Sequence, residues 1–168
     1  MVSNRLELSG CPRAAKQAVS DFHHGLLTLV LVPAYKSSVR SLWTLFSVGT
    51  VADAREALRQ RESVSEGNKD RHINAWSVGD APPANFPEIA TWVDDMALDA
   101  AVWTALPPKF EQEGVCPDVD QAVRHLRDLP HEPKRNAERY VRMTPRQVDT
   151  PYRRRFEAEF GWSPQSVV

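Results

Sequence analysis

Gly25-Leu-Leu-Thr-Leu-Val-Leu-Val32, closed by Pro33, is followed after the polar turn Tyr35-Lys-Ser-Ser38 by Ser41-Leu-Trp-Thr-Leu-Phe-Ser-Val48. The first stretch is short, apolar and rich in β-formers, as a buried strand is. The second reads as another strand, and the two as a hairpin whose connection is longer than a two-residue turn. Upstream, residues 5–8 alternate polar and apolar, a weak strand signal. Downstream, Thr50 is an N-cap with Asp53 at the reciprocal position of a capping box. Val51, Ala54 and Leu58 then share one helical face. Residues 63–70 are polar and contain Gly67-Asn68, which reads as a loop.

Two more strands follow, His72-Ile-Asn-Ala-Trp-Ser-Val78 and Asp99-Ala-Ala-Val-Trp-Thr-Ala-Leu106, the latter stopped by Pro107-Pro108. Between them Pro87 sits at a first-turn position, and Ile89, Trp92, Val93 and Met96 form a helical stripe. Beyond Pro108 the periodicity is helical. One helix begins at Pro117 and carries Val119, Ala122, Val123, Leu126 and Leu129 on one side. A second spans 134–143 with Ala137, Tyr140 and Val141. A third has Thr150 as N-cap, Pro151 at N1, an apolar face of Tyr152, Phe156 and Phe160, and Gly161 as its stop. The expected fold is α+β, a mixed α/β domain. A small mixed barrel or sheet occupies the first two-thirds, with flanking helices and a helical C-terminal region. One domain is expected over 1–168, strand-rich in 1–106 and helical in 117–162.

The composition suits such a domain. Hydrophobic residues make up 42% and charged residues 26% of the 168, within the ordinary globular range. A formal net charge of −1 argues against a dedicated nucleic-acid or membrane-surface protein, though not against a local patch. The longest apolar run, 26–34, is far shorter than the ~20 residues of a membrane span. The N-terminal MVSNRLELSG has no apolar signal core. Cys11 and Cys116 sit in unrelated contexts and are read as two unpaired thiols of a reducing compartment. A soluble cytoplasmic protein is expected.

Familiar catalytic machinery is absent from the sequence. Seven unclustered glycines leave no phosphate loop, and there is no G-x-S-x-G or H-E-x-x-H. His23 and His24 are adjacent and would face opposite sides of a strand, so no metal site and no cofactor are expected. Cys116, before Pro117, is read as a helix-flanking thiol rather than a nucleophile activated by the helix dipole. Residues 131–155 hold eight basic against three acidic side chains, a net charge of +5. That is either a solvated helix face or a docking surface for an acidic partner. Most of the five tryptophans are read as core, but Trp76 and Trp103, on strands, are candidates to line a binding pocket. Glu62 ends the helix opened by Thr50. Four residues from Leu58, it sits near the buried face, where a partly desolvated carboxylate could move protons.

The stretch Thr50-Val-Ala-Asp-Ala-Arg-Glu-Ala-Leu-Arg-Gln-Arg-Glu62 resembles a region of γ-glutamylcyclotransferase-like proteins, in which a helix ends in the acidic residue of the active site. Leu26-Leu-Thr-Leu-Val-Leu-Val-Pro33 and Val102-Trp-Thr-Ala-Leu-Pro-Pro108 are similar to strands of that family. The resemblance covers about residues 22–110 and, more loosely, the tail to Trp162. It implies a small mixed barrel and an intramolecular reaction. The α-amine of a γ-glutamyl group attacks its own γ-carbonyl and releases 5-oxoproline. Glu62 would be the acid/base of that reaction, on a small-molecule substrate. Arg61 and Arg40 are cations placed to pair with the substrate carboxylate, a reading from charge alone. The family's Tyr-Gly-Ser carboxylate cradle has no counterpart here; the N-terminal part offers only Leu8-Ser9-Gly10. The alternative is a non-catalytic interaction or regulatory module that binds a protein, or less readily a nucleic acid, through the basic 131–155 face.

Overall fold

The fold is taken from a computed structural model that describes residues 7–15, 26–33 and 38–165. It is an α+β arrangement of short antiparallel sheets and helices. The first sheet has the order β2-β1-β3, made by β1 (Glu7–Ala15), β2 (Leu26–Leu31) and β3 (Ser38–Arg40). β1 pairs along its second half with β2, from Gly10 opposite Leu31 to Ala15 opposite Leu26. Its first three residues pair with β3, from Glu7 opposite Arg40 to Ser9 opposite Ser38.

This corrects two expectations. The apolar strand is found, but its partner is the N-terminal strand and not residues 41–48. Those residues have no regular secondary structure and lie at the surface. Among the described residues no barrel is formed either: the three-stranded sheet is open, and the other two sheets have two strands each. β1 had been visible only as residues 5–8, because Gly10 and Pro12 interrupt its pattern. Pro12 is tolerated for a geometric reason. It stands opposite Leu29, whose N–H points away from β1 and donates to the Tyr140 Oη at 3.3 Å. In an antiparallel ladder such a pair exchanges no backbone hydrogen bonds, so the missing proline N–H costs nothing there.

α1 (Val51–Arg61) starts at Thr50, whose Oγ1 accepts from the Asp53 N–H at 3.1 Å. Asp53 answers through its carboxylate on the threonine hydroxyl, 2.8 Å away, rather than on its backbone. A 3-10 turn (Glu66–Asn68) and the four-residue α2 (Lys69–His72) occupy most of the expected loop. β4 (Ile73–Ser77) and β5 (Ala100–Thr104) form an antiparallel hairpin with Trp76 opposite Ala101 and Ala75 opposite Val102. The period of two sorts their side chains. Ile73 and Val102 pack with Leu58 and Val64 on the α1 side. Trp76, Ala101 and Trp103 pack with Phe86, Ile89 and Val93 on the side of α3 (Glu88–Asp95).

β6 (Lys109–Phe110) and β7 (Gln112–Glu113) make a small ribbon before the helical region. α4 (Val119–Asp128) begins two residues later than expected, because Asp118 and Gln121 form a full capping box. α5 (His131–Met143) begins three residues earlier than expected, with Pro133 in its first turn. α6 (Pro151–Phe160) runs from Thr150 to Gly161, whose φ of 67° ends it. Leu126, Ala137, Val141, Tyr152, Phe156 and Trp162 close a second core beneath β2, through Leu27. No helix among the described residues is long and apolar enough to cross a membrane.

Candidate functional site

Glu62 is the C-cap of α1. The helix closes there on a Schellman motif: the Ser63 N–H bonds to Gln60 O at 3.1 Å and the Val64 N–H to Arg59 O at 3.0 Å. Ser63 takes a φ of 53°, and Val64 folds back onto Leu58. The motif fixes Glu62 at the helix end, with its side chain one-third exposed beside Arg61 (Nε to Oε1 3.6 Å). Arg61 is therefore a neighbour of Glu62, and it is itself exposed. Arg40 ends β3 and is half-buried, with no ion pair among the described residues.

Trp76 and Trp103 lie on the other face of the β4–β5 hairpin from α1, packed against α3. Trp76 is buried and donates from Nε1 to Ala81 O at 3.0 Å. The buried Nε1 atoms of Trp103 and Trp92 have no hydrogen-bond partner among the described residues. Both tryptophans proposed as pocket walls are thus parts of a packed cluster, and the fold does not bring them to Glu62.

A residue the sequence placed only in a helix stripe is linked to Glu62 by charge. Tyr140, on α5, caps the free edge of β2 through the Leu29 N–H. Burial pushes its phenol pKa up, the Leu29 hydrogen bond opposes this, and the negative charge of Glu62 adds to the rise. A phenol raised in this way stays protonated at neutral pH, so it can donate or accept a hydrogen bond but not act as a base. Beside it runs a half-open crevice between β2 and the last two helices, walled by Thr28, Leu29, Tyr140, Thr144, Thr150 and Arg153. Its interior is about 30 Å³, room for a water or two and not for an amino-acid conjugate.

Arg153 was counted in the basic face but is 6% exposed. Its Nη1 donates to Pro145 O (2.6 Å) and Val148 O (3.2 Å), and its Nη2 to Thr144 O (2.6 Å) and Val141 O (3.4 Å). Its Nε donates to Glu157 at 3.0 Å. Four of the five hydrogen bonds serve the C-terminal end of α5 and the following loop, and the fifth stays within α6, so this cation is structural.

The remaining basic residues of 131–155 divide in two. Arg142 pairs with Glu138, Arg154 with Asp149, and Arg155 with Glu159 and Asp120. Lys134 donates to Arg127 O and lies over the Phe160 ring, 5.6 Å from its centroid. Arg135, Arg139 and Arg146 are exposed and carry no ion pair among the described residues. Arg135 and Arg139 are one turn apart on the face of α5 opposite buried Pro133, Ala137 and Val141. Met143, 60% exposed, ends the same helix.

Cys116 is a free, half-buried thiol. The α4 N-terminus is occupied by Asp118 and Gln121, so Cys116 does not sit in the dipole position considered for a nucleophile. The Cys11 side chain and His23-His24 lie outside what the structure describes. Among the described residues, no three His, Cys, Asp or Glu side chains gather closely enough to hold a metal ion. Compared with known proteins, the chain matches no protein-family model, no curated protein and no solved structure. The cyclotransferase resemblance accordingly rests on the quoted residues alone.

Proposed function

We propose that this chain is a non-catalytic interaction module that binds an acidic protein surface through the outer face of α5. The observation that carries the reading is a set of exposed guanidinium groups with no ion pair among the described residues, Arg135 and Arg139 on α5 and Arg146 in the loop after it, with exposed Met143 at the helix end. Arginine and methionine are enriched at protein interfaces, and free arginines take carboxylates bidentately. Glu132 and Glu138 interrupt the same helix, which suits a protein better than a continuous phosphate backbone.

The test is retention of the protein on immobilised poly-glutamate and on duplex DNA. Wild type is expected to be held by poly-glutamate at low salt and released as ionic strength passes about 0.15 M. The triple variant Arg135→Glu, Arg139→Glu, Arg146→Glu is expected to flow through, with its fold intact because all three side chains are exposed. Equal retention of the triple variant, or none of wild type, sinks the reading. Stronger retention on DNA moves the site to nucleic acid.

A second reading, a γ-glutamylcyclotransferase-like enzyme with Glu62 as acid/base, has one observation in its favour: the Glu62 charge reaches a buried phenol beside a crevice. It requires 5-oxoproline release from γ-glutamyl amines or dipeptides, abolished by Glu62→Gln. The size of the crevice and the distance in the fold from the tryptophans weigh against it, and we expect no release.

A further inference from the structure

Among the described residues, 42–49 make no backbone hydrogen bond to another part of the chain, although they follow β3 after Ser41. The exposed fractions are 55% for Leu42, 42% for Trp43, 69% for Leu45, 36% for Phe46 and 43% for Val48. Trp43 stands edge-on to buried Trp92, with ring centroids 5.4 Å apart, and so tethers the segment to the α3 cluster. A run of β-forming apolar residues with its peptide groups unpaired is what an edge strand looks like before it finds a partner.

We propose that the occupant is a second copy of this chain, joined by antiparallel pairing of residues 42–48 across a two-fold axis at Leu45. Three observations choose a copy over a different partner. The segment is self-complementary in that register: Leu42 falls opposite Val48, and Thr44 opposite Phe46, the aromatic and β-branched pairing that stabilises sheets. No charged residue occurs from Ser41 to Ala52, so nothing in the segment selects a charged ligand or repels its own copy. The net charge of −1 leaves little long-range repulsion between two chains.

Half-exposed side chains of this size offer roughly 400 Å² per copy, about half of what a standard stable interface buries on each side. The dimer is therefore weak, with a Kd on the order of micromolar to tens of micromolar. Its pairing would extend β3 into a sheet shared by two subunits. This inference is independent of the α5 face.

Analytical ultracentrifugation of the whole chain from about 1 µM to about 500 µM decides the matter. Wild type should pass from monomer to dimer across that range. Leu45→Lys, which places two like charges on the axis, should stay monomeric throughout. Thr44→Pro and Ser47→Pro each remove a backbone donor and keep every apolar side chain; their N–H groups point to opposite edges of the strand, so one of the two should weaken the dimer at least tenfold. Unchanged circular dichroism establishes that all three variants are folded, since the three sites are exposed. A wild type that is monomeric at every concentration overturns the proposal and leaves the segment to another partner. A dimer that survives Leu45→Lys overturns it by placing the interface elsewhere. A dimer lost in Leu45→Lys but untouched by both proline variants overturns the strand pairing.

Discussion

Ser63 and Ala97 occupy left-handed backbone, with φ of 53° and 51°. Each is the turn residue of a Schellman motif. Ala97 repeats after α3 what Ser63 does after α1: its N–H bonds to Asp94 O and that of Leu98 to Val93 O, both at 3.1 Å. Their side chains are exposed and make no hydrogen bond. A Cβ in this region costs about 1–2 kcal/mol, and glycine returns part of that as unfolded-state entropy. Ser63→Gly and Ala97→Gly should each stabilise by about 0.5–1 kcal/mol and raise Tm by about 1–4 °C in thermal unfolding. A lowered Tm would mean that the serine or alanine is held for some other purpose. Neither position was legible in the sequence, because no glycine marks them. Gly161, at the same place after α6, was.

At the scale of elements, Arg153 joins two helices. From α6 it satisfies carbonyls of the last turn of α5 and of the loop between them. Arg153→Met should destabilise by about 3 kcal/mol in denaturant unfolding, since several carbonyls lose their donor in a buried place. Arg153→Lys should recover less than half, because an ammonium cannot reproduce the five-donor fork. A loss below about 0.5 kcal/mol would show that water takes over the carbonyls.

The elements read correctly in the sequence are those whose signals are local. α1 and α6 announced themselves by their threonine caps, and β4 and β5 by runs bounded with turn residues. Residues 41–48 misled because strand propensity states what a segment can do, whereas a strand exists only beside a partner. β2 is already paired with β1 through Gly10-to-Ala15 contacts. The i,i+4 pairs Glu138–Arg142, Arg153–Glu157 and Arg155–Glu159 were implicit in spacing, yet summing charge over 131–155 concealed them. Nothing local told that Arg153 faces inward; that depends on where the end of α5 comes to lie.

At the scale of the whole molecule, the β4–β5 hairpin lies between α1 and α3, and the C-terminal helices form their own core beneath β2. This arrangement separates the residues that the enzyme reading needs together. Glu62 and Arg61 are on one side of the hairpin and Trp76 and Trp103 on the other. It also sets Arg135 and Arg139 of α5, which have no ion pair among the described residues, on an outer face while the apolar side of the helix is consumed by the core. The two functional readings therefore predict ligand contact in different places. The most direct measurement is a titration of the isotope-labelled protein with a poly-glutamate peptide, followed by amide chemical shifts. The interaction module predicts salt-sensitive shifts centred on Arg135, Arg139, Met143 and Arg146. Shifts centred instead on Leu29, Glu62, Tyr140 and Thr144, or no shifts at low salt, would contradict it.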